Sequence, residues 1–169
     1  MKNKLKNKMK KVNNILIVGL GGQGVLLASD VISMAAFKSG YDIKKSEVHG
    51  MSQRGGSVTT HVRFGSKIYS PLIKRGKADF ILTLKNSEIE RVKDFLSSDG
   101  KVIGVPEGFL DKLENKKTLN IAMIGILSKF LDISSKIWEE VIKETVPSKF
   151  QQLNLEAFEI GREGEFFIG

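Results

Sequence analysis

One stretch near the N-terminus constrains the fold more than any other: a strand-length apolar run, a glycine-rich turn and a helix-length segment follow one another directly. Residues 15–18 are continuously apolar, residues 19–24 contain four glycines, and residues 25–37 carry a wide apolar helical face that ends before Gly40. A strand that is apolar on both faces is typical of the interior of a parallel sheet. Together the three pieces predict the opening unit of a doubly wound α/β domain.

The glycines of this turn leave two interpretations open. Gly19, Gly21 and Gly24 match the G-x-G-x-x-G pattern of dinucleotide-binding turns, but a single match is weak evidence. The same glycines can serve only a tight turn and close packing of helix against strand. No clean acidic ligand for a ribose ends the second predicted strand, since Asp42 lies at its start and Glu47 precedes an unusual loop.

The net charge of the chain is concentrated in one short segment. The formal charge is +8, and residues 1–11 hold six lysines and no acid, so the remaining residues carry +2. We predict a disordered basic tail over residues 1–12, with contact to nucleic acid or to an acidic partner as the less favoured alternative. No signal peptide and no membrane-spanning run is present. The predictions are therefore a cytoplasmic location and no nucleic-acid or membrane partner.

The rare residue types exclude several kinds of site. The sequence has no cysteine, so this chain can hold no disulfide, no thiolate zinc site and no cysteine-ligated iron–sulfur cluster. It has only two histidines, His49 and His61, which makes a histidine metal site within the chain improbable. The prediction is that the chain binds no metal or cofactor by itself.

The middle of the chain predicts further strands and a hairpin. Residues 57–64 alternate between Val58, Thr60, Val62 and Phe64 on one face and Thr59, His61 and Arg63 on the other, which predicts a half-buried strand with His61 as a packing residue. Gly65 and Ser66 suit a tight turn into a partner strand at 67–70. The other predicted strands lie at 14–18, 41–48, 80–84 and 101–105.

Helices are predicted mainly in the C-terminal third. A capping box from Ser87 to Glu90 predicts one earlier helix that runs to about Leu96. Later helices are expected from Asn120 as a cap, from Ser134 as a cap, and from Ser148 to about Ile160 with Gly161 as the terminal glycine. The resulting fold is a single α/β domain over 13–163, with a doubly wound, mostly parallel sheet, an antiparallel hairpin, C-terminal helices and a tail at 164–169.

The loop at 49–56 is the second informative stretch. It contains three glycines, His49 and Arg54, and its backbone can approach another molecule closely. His49 can transfer a proton or donate a hydrogen bond, and Arg54 can hold a carboxylate or phosphate in a bidentate fork. An interface salt bridge explains Arg54 equally well. The sequence has no nucleophile elbow, P-loop lysine or metal-ligand cluster. We therefore predict that this chain forms only part of a site, which another polypeptide completes.

Three ordered motifs resemble a known family. They are Gly-Leu-Gly-Gly-Gln-Gly at 19–24, Glu-Val-His-Gly-Met-Ser-Gln-Arg-Gly-Gly at 47–56, and Val-Pro-Ser-Lys-Phe at 146–150 leading to the segment 154–162. The set resembles the gamma-type subunit of 2-oxoacid:ferredoxin oxidoreductases, and within it the small (beta) subunit of the indolepyruvate branch. Such subunits generally have a longer segment between Pro106 and Asn120, where this chain has only about thirteen residues.

The resemblance implies an oxidoreductase that converts an aryl 2-oxo acid, CoA and oxidised ferredoxin into an acyl-CoA, CO2 and reduced ferredoxin. It implies that thiamine diphosphate, Mg²⁺ and the iron–sulfur clusters belong to a large partner subunit, and that ferredoxin is reached through the complex. It also implies a role in shaping access of substrate or CoA. The alternatives are a free-standing Rossmann-like dinucleotide-binding protein and a non-catalytic scaffold with the same fold.

The two glycine loops are expected to form one surface. Both follow strands that run in the same direction, and ligands gather at the carboxyl ends of strands in such sheets. The predicted patch faces either substrate and CoA or the partner subunit, with Arg54 as the expected anion contact and the Gln23 amide open to a neighbour or a ligand; no residue is assigned a catalytic role. Its members are Gly21, Gly22, Gln23, Gly24, His49, Gly50, Ser52, Gln53, Arg54, Gly55 and Gly56.

Overall fold

The computed structural model describes residues 10–49 and 55–164. In chain order these contain β1 (Asn13–Leu20), α1 (Val25–Lys38), β2 (Asp42–His49), β3 (Ser57–Gly65), β4 (Ala78–Thr83), α2 (Ile89–Val92), β5 (Leu96–Ile103), α3 (Leu119–Ser128), α4 (Ser135–Thr145) and α5 (Gln151–Glu163). This arrangement confirms the predicted single α/β domain with its mostly parallel sheet, antiparallel hairpin and C-terminal helices. Of the tails predicted at 1–12 and 164–169, residues 1–9 and 165–169 lie outside the described residues.

The five described strands form one sheet in the order β2-β3-β1-β4-β5. β3 runs antiparallel to both β1 and β2, whereas β4 is parallel to β1 and to β5. β1, β2, β4 and β5 therefore point the same way, and β3 alone among the described strands is reversed. Because antiparallel strands can be joined without a crossover helix, β2 connects directly to β3 as a hairpin.

The hairpin therefore joins β2 to β3, and the prediction of a partner strand at 67–70 is wrong. That segment leaves the sheet because its amides find other acceptors. The N–H of Ile68 donates to Asp42 Oδ2 over 2.7 Å, and the N–H of Ile73 donates to His61 Nδ1 over 3.0 Å. Residues 66–77 consequently run across the sheet, and Ile73 joins the apolar cluster with Leu16 and Val18.

The alternation predicted for β3 is present, but both of its faces are covered. Val62 and Phe64 pack into the main core, while Thr59 and His61 on the opposite face are only 6% exposed. The prediction of a half-buried strand is therefore wrong, although His61 is a packing residue as expected. Its ring stands edge-on to Phe95 with 5.6 Å between centroids.

Four helices cover one face of the sheet. α1, α3, α4 and α5 contribute to the same core as the inward side chains of β1, β3 and β4, while α2 and residues 66–77 cover the other face. Trp138 of α4 and Phe158 of α5 are fully buried, with 6.0 Å between their ring centroids. None of the helices in the described ranges combines the length and apolarity that a membrane crossing requires.

Two helix boundaries differ from the predictions. Gly161 lies inside α5 and is a packing residue, because a Cβ there would meet the carbonyl oxygen of Ala122 at 1.9 Å. The helix predicted from Ser87 to Leu96 is shorter, since Leu96 already pairs with Ala78 and starts β5. Gly100 consequently lies within a strand, where a Cβ would come within 2.7 Å of the Ala78 carbonyl oxygen.

Candidate functional site

The two glycine loops meet at the carboxyl edge of the sheet. β1 ends at Leu20 opposite Ser57, and β2 ends at His49 opposite Val58. Beyond the strands, the N–H of Gly21 donates to the carbonyl oxygen of Gly56 over 2.9 Å. The first loop and the described end of the second loop therefore form one continuous surface, as the sequence predicts.

Glycine is required in the first loop by its backbone conformation. Gly22 and Gly24 have φ of 88° and 82°, in the left-handed region that side chains disfavour. Gly24 is also the N-cap of α1, and the first turn of that helix contains no acidic residue. The first amide groups of α1 have no acceptor within the helix and lie beside the loop, so this corner of the site favours negative charge.

The Gln23 amide, which the sequence left open to a neighbour or a ligand, is hydrogen-bonded within the fold. Its Oε1 accepts the N–H of Leu20 over 2.8 Å, and its Nε2 donates to the carbonyl oxygen of Leu84 over 3.1 Å. The side chain thereby ties the end of β1 to the residue that follows β4. Its role is to hold the loop in shape, and the loop offers its backbone to the surface.

Asn120 is a site residue that sequence reasoning missed. It was predicted to cap α3, but α3 begins one residue earlier at Leu119, and Asn120 is 4% exposed within the first turn. Its Nδ2 donates to the carbonyl oxygen of Gly24 over 3.2 Å, and its Oδ1 accepts the N–H of Ile121 over 2.9 Å. A polar side chain at the start of an otherwise apolar helix was the only signal in the sequence.

Two open grooves flank the glycine loop. One, of about 560 Å³, lies toward α3 and is lined by Gly22, Gln23, Gly24, Leu27, Lys116, Lys117, Leu119 and Asn120. The other, of about 440 Å³, lies toward β2 and is lined by Leu20, Gly21, Gly22, Gly24, Val25, Leu26, His49 and Val58. One groove thus carries two lysine side chains, and the other is mostly apolar with exposed His49 at its rim.

The predicted patch is only partly described. The grooves are bordered by Gly21, Gly22, Gln23, Gly24 and His49. Gly55 and Gly56 lie against the first loop through the contact at Gly21. The predicted positions Gly50, Ser52, Gln53 and Arg54 lie outside the described residues.

A polar cluster supports the same edge from the other face of the sheet. Arg91 Nη2 donates to Glu88 Oε2 over 2.8 Å and to Thr59 Oγ1 over 3.0 Å. Burial opposes ionisation of Glu88, but hydrogen bonds from Ser57 and Arg91 and the Arg91 charge hold the pKa of its carboxyl below the usual value. The cluster fixes the start of β3, directly after the second loop, to α2.

The sheet order argues against dinucleotide binding at this turn. In a Rossmann unit the second strand lies beside the first, so an acid at its end reaches the ribose. Here β3 separates β1 from β2, which places β2 two strand spacings, about 9–10 Å, from β1 instead of one. Asp42 accepts the N–H of Ile68 at the opposite end of β2, and Glu47 pairs with Lys45 at 3.6 Å.

Metal sites are absent from the described residues: residues 10–49 and 55–164 contain no group of three or more histidine, aspartate or glutamate side chains placed to hold an ion. What this surface offers chemically is a glycine backbone, amide donors and nearby lysines. These groups can position a ligand or a partner, and they do not form a catalytic set.

Comparisons with known proteins match nearly the whole chain. The family model described as pyruvate ferredoxin/flavodoxin oxidoreductase matches residues 14–109 and 105–164. The indolepyruvate oxidoreductase subunit IorB of Thermococcus kodakarensis is 34% identical over 191 residues, covering 89% of this chain and 95% of the relative. That alignment spans 191 positions, more than the 169 residues of this chain, so it contains gaps on the side of this chain. The two family-model matches overlap at residues 105–109, just after β5. Both findings agree with a shortened segment between Pro106 and Asn120.

Solved structures share the fold. The gamma subunit of a keto/oxoacid ferredoxin oxidoreductase from Geobacter sulfurreducens has a TM-score of 0.74 at 22% identity, covering 89% of this chain and 96% of that one. A 2-oxoglutarate:ferredoxin oxidoreductase from Magnetococcus marinus, solved with 2-oxoglutarate, coenzyme A and succinyl-CoA, has a TM-score of 0.76 at 21% identity, covering 91% of this chain and 31% of that one. This chain belongs to the pyruvate ferredoxin/flavodoxin oxidoreductase family, among the small, gamma-type subunits of 2-oxoacid:ferredoxin oxidoreductases.

Proposed function

We propose that the chain is the small subunit of an indolepyruvate-type enzyme that oxidises aryl 2-oxo acids. The reaction takes a 2-oxo acid, CoA and oxidised ferredoxin to an acyl-CoA, CO2, a proton and reduced ferredoxin, with the two electrons released by decarboxylation passing to the carrier. The observation that carries this proposal is the 34% identity to IorB over nearly the full length of both chains. The His-Gly-Met-Ser-Gln-Arg-Gly-Gly form of the second loop supports the same branch.

The cofactors are proposed to belong to a large partner subunit. Thiamine diphosphate, when bound there with Mg²⁺, supplies the chemistry that cleaves the bond between the carboxylate and the 2-oxo carbon, and iron–sulfur clusters carry the electrons away. The chain lacks the cysteine thiolates that ligate such clusters, which supports this division of labour. Its own part is to position: the glycine edge presents backbone amides and leaves room for an approaching molecule.

The glycine edge is proposed to face the thiamine-bearing subunit and to line the entry for substrate or CoA. The phosphates of CoA and the carboxylate of a 2-oxo acid are anions, and the groove beside α1 combines free helix amides with Lys116 and Lys117. His49 lies at the rim of the neighbouring apolar groove. Arg54 of the same loop is the proposed bidentate anion contact.

The experiment is reconstitution with and without this chain. The large subunit and this chain are co-expressed and purified together without oxygen, and reduction of methyl viologen is followed with indolepyruvate and CoA. We expect a stable complex whose CoA-dependent activity is lost when this chain is omitted and restored when it is added back. Elution of the chain as a free protein, or full activity of the large subunit alone, would refute the proposal.

A further inference from the structure

One edge of the sheet is a strand that is regular over its whole length. β2 ends the strand order, and β3 is its only strand neighbour among the described residues. All eight residues of β2 pair with β3 without a register shift, whereas β5, at the other edge, pairs with an irregularity between Ala78 and Phe80. Irregularities protect an edge from further pairing. Within the described chain, the outer side of β2 therefore presents backbone N–H and C=O groups that no strand takes up.

An apolar stripe of α1 accompanies this edge. Leu26 and Phe37 lie four residues before and seven residues after Asp30, so the three share one side of the helix. Asp30 pairs with Lys45 of β2, and Leu26 borders a groove together with His49, so this side of α1 turns toward β2. Leu26 is 38% exposed and Phe37 is 71% exposed. An exposed aromatic ring beside an unpaired strand edge is typical of a surface that another chain covers.

Symmetry limits how a second copy of this chain can pair with β2. Two identical edges that pair antiparallel about a two-fold axis keep the same face of both sheets on the same side. Side chains that stand opposite each other then belong to that face, so an odd-numbered residue opposes an odd-numbered one and an even-numbered residue an even-numbered one. Axes at residues 44, 45, 46 and 47 give the registers in which five or more residues of the strand overlap.

Charge selects one of these four registers. An axis at Lys44 or Lys45 places that lysine opposite its own copy, and an axis at Glu47 opposes two glutamates. An axis at Ser46 instead places Lys45 of each copy opposite Glu47 of the other. The remaining opposed pairs are Lys44 with Val48 and Ile43 with His49. Opposed like charges destabilise a strand pair and opposite charges stabilise it, so the charges that block the other registers favour this one.

We propose that β2 pairs antiparallel with β2 of a second copy of this chain, about a two-fold axis at Ser46, so that the two sheets become continuous. The α1 helices of both copies then lie on one face of the joined sheet and run antiparallel, which brings the Phe37 end of one toward the Leu26 end of the other. The two glycine edges point in opposite directions, because the strands of the copies are antiparallel. The pairing does not depend on the proposed function.

A single introduced cysteine tests the register directly, because the chain has none of its own. In Ser46→Cys the thiols of the two copies stand opposite each other at the axis, where Cα atoms about 4.5–5.5 Å apart suit a disulfide. In the matched control, Lys44→Cys on the same face of β2, the thiols are four residues out of register, or about 13 Å. Both variants are oxidised mildly, as the full-length chain and in the assembled complex, and separated on a non-reducing gel. We expect Ser46→Cys to form the cross-linked dimer about tenfold faster or more.

Sedimentation of the full-length chain measures the strength of the pairing. Glu47→Lys opposes like charges at two positions across the axis and should raise the dimer dissociation constant about tenfold. Phe37→Ser should also raise it, because the variant removes the exposed ring of the apolar stripe. Leu72→Ser is the matched control: Leu72 is 51% exposed on the segment that covers the other face of the sheet, and the dissociation constant should stay at the wild-type value.

Three results would overturn the pairing. The first is a monomeric wild-type chain with no cross-link of Ser46→Cys in the complex. The second is a dimer in which Ser46→Cys cross-links no faster than Lys44→Cys, because the copies would then meet at another surface. The third is cross-linking of the isolated chain but not of the complex, which would assign the β2 edge to the large subunit instead.

Discussion

Asn120 packs so closely on Gly24 that a Cβ added to the glycine would lie 2.4 Å from Asn120 Nδ2. The same side chain donates to the Gly24 carbonyl oxygen, and it joins the first turn of α3 to the N-terminus of α1. The shape of the glycine loop therefore depends on a helix about a hundred residues later in the chain.

The first prediction concerns this contact. Gly24→Ala should lower the free energy of unfolding by about 2–4 kcal/mol, because it adds a steric clash to a left-handed backbone. Gly22→Ala is the matched control: its φ is also positive, but no atom lies within 4 Å of the added Cβ. The free energy of unfolding of Gly22→Ala should fall by only about 1–2 kcal/mol. Urea denaturation measures both, and equal losses would show that Asn120 does not confine the loop.

The second prediction concerns the crossing of α3 and α5. Gly161→Ala should destabilise the protein by about 3 kcal/mol or more, because its Cβ would overlap the carbonyl oxygen of Ala122 and push the helices apart. Glu156→Ala, at an exposed position of the same helix, should change stability by no more than about 0.5 kcal/mol. Thermal and urea unfolding of both variants provide the measurement. A Gly161→Ala protein as stable as wild type would contradict the close approach of the two helices.

The third prediction is a pH dependence of stability from His61. Burial lowers the pKa of this imidazole below its ordinary 6.5, and its Nδ1 accepts the Ile73 N–H only while unprotonated. The unfolded chain therefore binds the proton more tightly, and stability is complete above pH 6.5 and falls as pH decreases toward the folded-state pKa. One such group changes the unfolding free energy by at most about 1.4 kcal/mol per pH unit.

Unfolding free energies measured from pH 7.5 to 5 test this, in wild type and in His61→Gln. The variant should be less stable at neutral pH and should show a flatter profile over the range. His49→Gln keeps His61, so the pH dependence of unfolding free energy that comes from His61 should be the same in this variant as in wild type. A His61→Gln profile with the same slope as wild type would exclude His61 as the source.

The sequence was informative where local pattern decides structure. The apolar run, the glycines and the following helix were enough to predict β1, the turn and α1, since these contacts lie within about 25 residues. Strand pairing was less predictable: the alternation at β3 identifies a strand but does not say that it lies between β1 and β2. The segment 66–77 was misjudged because its amides bond to Asp42 and His61, which no local pattern reveals.

The candidate site shows the same division. The glycine loops and their common edge followed from the direction of β1 and β2, but the use of each polar side chain did not. Gln23 looked free and bridges Leu20 to Leu84, whereas Asn120 looked like a cap and supports the loop. Both depend on which elements come together in space, and hydrogen-bond partners distant in sequence determine the outcome.

The fourth prediction tests the proposed anion contact. Arg54→Ala in the assembled complex should lower kcat/KM for the 2-oxo acid or for CoA about tenfold to a hundredfold, as expected for loss of a charge-assisted hydrogen bond. The kcat/KM of Arg54→Lys should lie between those of wild type and Arg54→Ala, because lysine keeps the charge and loses the bidentate fork. Arg75→Ala, at the far edge of the sheet, is the control and should keep wild-type kinetics with viologen.

Size-exclusion chromatography checks assembly of the Arg54 variants independently. A complex that assembles normally with unchanged kinetics would exclude Arg54 as a ligand contact. A complex that fails to assemble would assign the residue to the subunit interface.

The central claim is that this chain serves an enzyme for aryl 2-oxo acids. The most direct measurement is the kcat/KM of the assembled complex for indolepyruvate, phenylpyruvate, pyruvate and 2-oxoglutarate, with CoA and viologen. We predict that both aryl substrates exceed pyruvate and 2-oxoglutarate by at least about a hundredfold, since a pocket shaped for an aromatic ring gains apolar burial that the small acids lack. A preference for pyruvate or 2-oxoglutarate would contradict the assignment to the indolepyruvate branch.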